Sequence, residues 1–166
     1  MRFNIFLLIL CLSFNYVIGL EKTIGVFVAL ADNESQGIVK VPKAIGNGDD
    51  PEKNLYWGTA EGLKGIFDKS KDWKLTEKKE SPLEKNILRT RIYYNSIKKT
   101  TLTAKAYKGS SIKKCIQDFE LALQLGTYDL VVYIGHNGLM DFELPIPSKV
   151  ENQTKVSECV VLCCKS

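Results

Sequence analysis

The only histidine of this chain lies just after an apolar segment, where a parallel strand would deliver it to the edge of a sheet. His136 follows the run Asp129–Ile134 and sits between two glycines, at positions 135 and 138. A second apolar run, Cys159–Cys163, is followed at once by Cys164. An imidazole near a thiol can take its proton, and the thiolate is the attacking species of cysteine nucleophiles. The pattern predicts a His136–Cys164 pair at the carboxyl ends of two neighbouring buried strands.

Each of these residues also has a structural interpretation that the sequence leaves open. His136 could be a turn residue that satisfies nearby backbone groups, and Cys159 and Cys163 could be small buried hydrophobic residues. Cys164 differs from them because it occupies the end of its strand, although the sequence does not decide whether Cys163 or Cys164 is the reactive thiol. Asp141 could orient His136 or cap its own loop, and both interpretations stay open.

Length and composition limit the class of protein. The chain has 166 residues, 45% hydrophobic and 25% charged, which is typical of one ordinary globular domain. Its net charge of +4 is mild, and its lysines occur singly or in short clusters. This distribution is more typical of a solvated surface than of a nucleic-acid-binding face, so we expect no nucleic-acid partner.

The first 19 residues have the features of a secretory signal peptide. Arg2 supplies a positive start, Ile5–Leu12 is apolar, and Val17–Gly19 offers permissive residues for cleavage. The uncharged stretch is barely long enough for the alternative, a retained membrane anchor. We therefore expect a signal peptide over 1–19 and a mature domain over 20–166 that is exported, periplasmic or extracellular, and not associated with a membrane after cleavage.

Four cysteines remain after that cleavage. An oxidising compartment would allow a bridge such as Cys115–Cys159, but four cysteines are too few for a disulfide scaffold. Cys163 and Cys164 are adjacent and belong to opposite faces of a strand, so they are poor partners for each other. A single histidine, without a Cys-x-x-Cys motif, does not provide the ligands of a zinc site. We expect no metal and no cofactor.

The order of apolar and amphipathic segments predicts an α/β domain. Strands are expected at the buried run Thr23–Ala31, at the two apolar runs described above, and at three middle segments. A helix over Asn54–Phe67 follows a long loop, and a second helix, Ile112–Leu125, has a serine cap and ends at Gly126. Such an order favours a mostly parallel central sheet flanked by helices, with sites beyond the carboxyl ends of its strands. The middle strands are expected at Trp73–Thr76, Ile87–Tyr94 and Thr101–Tyr107.

The two apolar blocks resemble the signature of the caspase, gingipain and legumain clan of cysteine peptidases. In that clan one block ends in histidine and a small residue, and the next ends in a small residue and cysteine. Leu162–Ser166 here aligns Cys164 with the nucleophile. More closely, Gly135–Phe142 (GHNGLMDF), Asn47–Pro51 and Asn54–Trp57 resemble a group of exported bacterial proteins of unassigned function, over about Ile24 to Ser166.

The resemblance implies a caspase-like fold and a peptide or protein substrate. Cys164 would attack a carbonyl, His136 would handle protons, and backbone amides near Gly138 and Cys164 would hold the oxyanion. Asn137 stands where the clan usually has glycine. Clan members also continue beyond the nucleophile with further strands and helices, so the resemblance implies a C-terminally truncated domain that is inactive as this fragment if its substrate pocket is incomplete. Oligomeric state is not predicted.

Two further expectations concern the acidic loop and the competing function. Asp49 and Asp50 could form an acidic lip that selects basic substrate side chains or could bind calcium, but an acidic turn that caps the following helix is the simpler interpretation. The main alternative to a hydrolase is a non-catalytic periplasmic binding or interaction module on the same scaffold, with His136 in a structural turn.

Overall fold

The structure is a computed structural model that describes residues 20–80, 83–145 and 155–164, except for the side chain of Cys164. The proposed signal peptide, residues 1–19, lies outside this part. The elements in chain order are β1 (Lys22–Ala29), α1 (Leu63–Lys69), β2 (Lys74–Lys79), β3 (Ile87–Asn95), β4 (Thr100–Tyr107), α2 (Ile112–Leu125), β5 (Leu130–His136) and β6 (Glu158–Cys164). Short 3₁₀ turns precede α2 and follow β5.

The six strands form one mixed, mostly parallel sheet in the order β2-β3-β4-β1-β5-β6. β1 pairs in parallel with both β4 and β5, and β5 pairs in parallel with β6. The β2–β3 and β3–β4 pairs are antiparallel. The carboxyl ends of β1, β4, β5 and β6 therefore lie at one end of the sheet, and the predicted α/β class with a mostly parallel sheet is confirmed.

Two hydrophobic clusters cover the two faces of the sheet. On one face, α2 packs Cys115, Ile116 and Phe119 against β1 and β5. On the other face, α1 contributes Leu63, and the fully buried Trp57 packs beside it. Trp57 is therefore a core residue. Buried clusters thus cover both faces of the central strands, whereas the outer strands β2 and β6 are exposed.

The predicted helix over Asn54–Phe67 is wrong in its first half, because α1 begins only at Leu63. The chain from Asn54 to Gly62 instead forms tight turns. A Cβ atom at Gly58 would lie 2.0 Å from the carbonyl oxygen of Glu52, and one at Gly62 would lie 2.6 Å from the backbone of Trp57. The glycines permit this close backbone packing, which a continuous helix would not form.

The second helix has the predicted bounds but not the predicted cap. α2 covers Ile112–Leu125 and ends at Gly126, whose φ of 61° is the left-handed value that favours glycine. Ser111 occupies the N-cap position without a side-chain hydrogen bond to the helix. Its hydroxyl group instead bonds the side chain of Asn86 at 3.1 Å, so tertiary contact replaces the local cap.

The expectation that the cysteine-containing strand is buried is also wrong. Cys159 and Cys163 of β6 are exposed, and Val161 and Leu162 keep 52% and 56% of their accessible surface. Within the described residues, β6 pairs only with β5 and forms one edge of the sheet. Its apolar sequence resembles that of a central strand, but burial depends on neighbours that the described part of the chain does not place there.

A buried asparagine anchors the loop that follows β1. Asn54 is fully buried, and its side-chain oxygen accepts the Ala31 N–H at 3.0 Å. Its amide nitrogen donates to the carbonyl oxygens of Ala31 (2.8 Å) and Asn47 (3.0 Å). The side chain therefore satisfies the backbone just beyond β1 and fastens the turn around Asn47 to it.

Replacing Asn54 with leucine should strongly destabilise the fold. Leucine has a similar size but leaves the buried polar groups of Ala31 unpaired, at a cost of about 1–3 kcal/mol for each. We expect the free energy of unfolding in urea to fall by about 2–4 kcal/mol. The control is Lys43→Ala, an exposed change in the same loop, for which we expect a change within about 0.5 kcal/mol. A loss for Asn54→Leu no larger than the control's would contradict this role.

Asp129 ties the entrance of β5 to two other segments. Its Oδ2 atom accepts hydrogen bonds from the Thr23 N–H (2.7 Å) and hydroxyl group (2.9 Å), and its Oδ1 atom lies 2.9 Å from Lys155 Nζ. The hydrogen bond from Lys155, with those from Thr23, lowers the pKa of Asp129 to about 2. The folded chain therefore favours the ionised form of Asp129 over the protonated form.

Stability should depend on the charge of Asp129 in acid. Because the folded pKa is below the usual value, the stabilisation is present above about pH 4 and is lost as the pH falls towards 2. We expect Asp129→Asn to lower the free energy of unfolding at pH 7 by about 1 kcal/mol, since the site is partly exposed and screened. Urea titrations should give the same free energy of unfolding for the parent chain and for Asp129→Asn near pH 2. The exposed control Asp72→Asn should show no difference from the parent chain that disappears in acid. A constant gap at all pH values would refute this assignment.

Candidate functional site

His136 is the last residue of β5 and is almost completely buried, with 1% of its surface exposed. Its carbonyl oxygen accepts a 2.7 Å hydrogen bond from the Tyr133 hydroxyl group. Burial raises the pKa of Tyr133, so this phenol stays protonated and keeps its role as donor. The backbone that carries the imidazole is therefore held from within its own strand.

The two nitrogen atoms of the imidazole have different surroundings. Nε2 lies 2.9 Å from Asp141 Oδ2. Nδ1 is buried and has no hydrogen-bond partner among the described residues. With Nε2 occupied by a carboxylate, Nδ1 is the nitrogen that remains available to exchange a proton. A buried polar atom without a partner is costly and rare, so its presence at this position requires an explanation.

Asp141 is itself held in place by a distant loop. Its Oδ2 atom also accepts the N–H of Gly37 at 3.0 Å, and a Cβ atom at position 37 would lie 2.4 Å from its Oδ1 atom. The sequence left open whether Asp141 orients His136 or caps its own turn. Its carboxylate bonds His136, while its backbone N–H closes the 3₁₀ turn on Gly138. The orienting contact is therefore present, and the absence of a side chain at Gly37 leaves space for the carboxylate.

Cys164 is the register partner of His136 across the parallel β5–β6 pair. The side chain of Cys164 lies outside the described residues, so its distance from the imidazole is not part of the geometry. Cys163 is the partner of Gly135 instead, and it lines a cavity of about 110 Å³ with Phe119, Tyr133 and Val161 on the α2 side. Because alternate residues of a strand belong to opposite faces, positions 163 and 164 open on different sides of the sheet.

The expected oxyanion donor, Gly138, begins the 3₁₀ turn that follows His136. It is buried against Ile116 and Phe142, and a Cβ atom would lie 3.0 Å and 2.7 Å from those side chains. The first N–H groups of a helical turn have no partner inside that turn. Gly138 also lines the α2-side cavity that Cys163 lines.

Asp49 and Asp50 form a turn held by local and ionic contacts. Asp49 Oδ1 lies 3.8 Å from Lys108 Nζ, and Asp50 Oδ1 accepts the Glu52 N–H at 3.1 Å. The residues therefore form an acidic turn, but the expected helix-capping role is wrong, because α1 begins only at Leu63 and has Gly62 at its N-cap. No cluster of three histidine, cysteine or acidic residues able to hold a metal ion occurs among the described residues. The same residues contain no helix long and apolar enough to cross a membrane.

The described cysteines fall into two classes. Cys115 of α2 is a free thiol that is fully buried, and burial raises its pKa well above the usual value. Cys159 and Cys163 are free and exposed. The bridge between Cys115 and Cys159 that the sequence allowed is therefore absent. Cys115 belongs to the core and is chemically inert while the protein is folded.

Comparison with known proteins gives no relative for this chain. No protein-family model matches it, and no curated protein or solved structure matches it either. The α/β class thus follows from the structure, whereas the caspase-like assignment stands on the motifs of the sequence alone.

Two residues of this site, Gly37 and Tyr133, could not be recognised from local sequence patterns. Gly37 lies in a long loop more than ninety residues before Asp141, and no local pattern connects the two. Tyr133 lies within an apolar run, which marks it only as a strand residue. A tyrosine inside a buried strand does, however, need a hydrogen-bond partner for its hydroxyl group. That requirement was the one available signal.

Thiol labelling of the folded protein should separate Cys115 from the β6 cysteines. We expect iodoacetamide to modify Cys159 and Cys163 in minutes and Cys115 only after unfolding, because a buried thiol of raised pKa offers no accessible thiolate. Peptide mass spectrometry with and without urea measures this order. Modification of Cys115 in the folded chain at the rate of Cys159 would show that the α2 core is not packed as described.

Proposed function

We propose that the protein is an exported, caspase-like cysteine hydrolase domain, derived from a peptidase, in which Cys164 is the nucleophile and His136 its base. The observation that carries this proposal is the state of the imidazole. Nε2 is fixed by Asp141, Nδ1 is buried without a described partner, and Cys164 is the register neighbour of His136. An oriented imidazole with a cysteine at the neighbouring register position supports the proposal, because covalent catalysis by cysteine needs a base near the thiol.

The reaction follows from these roles. Nδ1 of His136 takes the thiol proton, and the Cys164 thiolate attacks the carbonyl carbon of a peptide or protein substrate. The negative oxygen that forms is held by the Gly138 amide. The C–N bond then breaks as His136 returns the proton to the departing amine, and water hydrolyses the resulting thioester. Asp141 positions the imidazole, as a carboxylate does in comparable triads.

A non-catalytic binding or interaction module is the second candidate. It is favoured by the burial of His136, whose exposed fraction of 1% is typical of a structural residue. In this case the link from His136 through Asp141 to Gly37 would only fasten the long loop to the turn after β5. Both candidates use the same contacts, so a measurement of reactivity has to separate them.

The pH dependence of iodoacetamide labelling tests the proposed function. We expect Cys164 of the mature chain to react rapidly below about pH 7, because a nearby imidazolium stabilises the thiolate. His136→Ala should reduce that rate at least about tenfold, and Asp141→Asn should reduce it less. Rates are followed for each cysteine by mass spectrometry. Cys163→Ser is the matched control and should leave the reactivity of Cys164 unchanged.

The opposite result identifies the alternative. Uniformly slow labelling of Cys159, Cys163 and Cys164, unaffected by His136→Ala, would remove the hydrolase proposal for this chain. If His136→Ala then lowered only the free energy of unfolding, the His136–Asp141 contact would have a structural role. Rapid labelling of Cys163 instead of Cys164, lost with His136→Ala, would assign the nucleophile to the neighbouring cysteine.

A further inference from the structure

The loop that follows β1 reaches across the carboxyl end of the sheet to the turn after β5. Its residue Gly37 donates its backbone N–H to Asp141 Oδ2 at 3.0 Å, and the same oxygen lies 2.9 Å from His136 Nε2. Gly37 and Asp141 are 104 positions apart in the chain. One carboxylate oxygen therefore connects the long loop to the imidazole ring.

A buried glutamine fixes the backbone next to Gly37. Gln36 is 8% exposed, and its amide nitrogen donates to the carbonyl oxygens of Leu30 and Gly109, both at 2.9 Å. Its side-chain oxygen accepts the Asp32 N–H at 3.2 Å. These bonds attach the loop to the segments that follow β1 and β4, so the Gly37 N–H projects from a fixed backbone.

Glycine is needed at position 37 for the carboxylate and not for the backbone. Among the described glycines only Gly126 and Gly135 have a positive φ, so the backbone conformation at Gly37 does not itself require glycine. The three atoms nearest to a Cβ placed there all belong to the carboxyl group of Asp141, with Oδ1 at 2.4 Å. A methyl group at position 37 would therefore displace the carboxylate, because the end of a side chain moves more readily than an anchored backbone.

The hydrogen bond from Gly37 also indicates where the proton lies between Asp141 and His136. Oδ2 accepts the Gly37 N–H, so the same oxygen is the acceptor for Nε2, and Nε2 carries the proton. A neutral imidazole has one N–H group, so Nδ1 then has a free lone pair. Nδ1 is buried and has no hydrogen-bond partner among the described residues. This tautomer leaves Nδ1 as the nitrogen that can accept a proton.

We propose that Gly37 is a positioning residue, which acts through Asp141 to hold His136 in the tautomer that has its proton on Nε2. The inference rests on the proposed function for its chemical consequence, since an unprotonated Nδ1 is ready to accept the proton of the Cys164 thiol. Gly37 takes no part in that proton transfer. Its N–H group and its lack of a side chain keep the carboxylate in place, and a histidine in the wrong tautomer is a poor base.

Nuclear magnetic resonance of the histidine ring tests the tautomer. The chain has one histidine, so a sample without a histidine tag, labelled with ¹⁵N-histidine, gives the ring signals of His136 alone. All samples carry Cys164→Ser, which removes the proposed nucleophile, and spectra are recorded at about pH 9, where an ordinary imidazole is neutral. We expect the proton of the parent chain on Nε2 alone, and Gly37→Ala to place it partly or wholly on Nδ1. Val39→Ala, an exposed change in the same loop, is the control and should match the parent chain.

Thiol reactivity tests the chemical consequence. In the chain with Cys164 intact, Gly37→Ala should lower the rate of iodoacetamide labelling at Cys164 by about two- to tenfold, the range expected for the loss of one hydrogen bond. In an Asp141→Ala background there is no carboxylate to displace. Adding Gly37→Ala there should change the rate by less than about twofold, because Gly37 acts only through Asp141. Val39→Ala is again the control.

Each outcome decides the proposal. Loss of the single tautomer in Gly37→Ala, with a rate loss that disappears in the Asp141→Ala background, supports it. A Gly37→Ala chain that keeps its proton on Nε2 would overturn it, and so would a rate loss that is equally large without the carboxylate. Failure of Gly37→Ala to fold, judged by circular dichroism, would overturn it as well, because the fold itself would then need glycine at this position. Slow labelling of Cys164 in the parent chain would remove the hydrolase proposal, and the ring signals alone would then decide the role of Gly37.

Discussion

The parallel pairing of β5 with β6 determines which residues can meet at the candidate site. The pairing is held at the entrance of the strands, where the Glu158 N–H donates to Asp129 and the Ser157 hydroxyl group donates to the Tyr128 carbonyl oxygen. From there the register runs without interruption to His136 and Cys164. A shift of one residue would put Cys163 beside the imidazole and would exchange the faces of every residue in β6. Contacts at one end of the sheet therefore specify the thiol at the other end.

The second requirement of the site is the orientation of the imidazole, which three separate segments provide. The Tyr133 hydroxyl group donates a hydrogen bond to the His136 carbonyl oxygen, and Asp141 hydrogen-bonds the imidazole ring from the turn that follows. The Gly37 N–H, in the long loop after β1, donates to Asp141. That loop is in turn fastened by Asn54 to the end of β1. The ring is thus positioned by elements that pack around the carboxyl edge of the sheet, which is where parallel sheets collect their functional groups.

Local sequence patterns were sufficient where the structure depends on local forces. Continuous apolar runs located β1 and β5, and the bounds of α2 follow from its amphipathic repeat and from Gly126. His136 and Cys164 were expected at the carboxyl ends of neighbouring strands, and β5 and β6 are paired strands that end at these two residues. These features depend on side-chain periodicity and on the general alignment of parallel strands, both of which can be read from one chain.

The errors occurred where distant contacts decide the conformation. The turns of Asn54–Gly62 replace the predicted helix because the glycines there pack against backbone atoms of Glu52 and Trp57. The exposure of β6 depends on which neighbours it has, since the same apolar run fits a central strand or an edge. The contact of Gly37 with Asp141 joins residues far apart in the chain. No periodicity or composition carries that information.

The most direct test of the central claim is a cross-link between the thiol and the imidazole. Dibromoacetone carries two displaceable bromides on a short chain, so it joins a cysteine sulfur to a histidine nitrogen only when the two atoms are neighbours. This protein has a single histidine, so any sulfur–imidazole bridge must include His136. Peptide mass spectrometry then identifies the cysteine of the bridge. The account predicts a bridge between Cys164 and His136 in the folded mature chain, and its loss on unfolding. Products that carry the reagent on cysteine alone, or a bridge from Cys163 to His136, would contradict it.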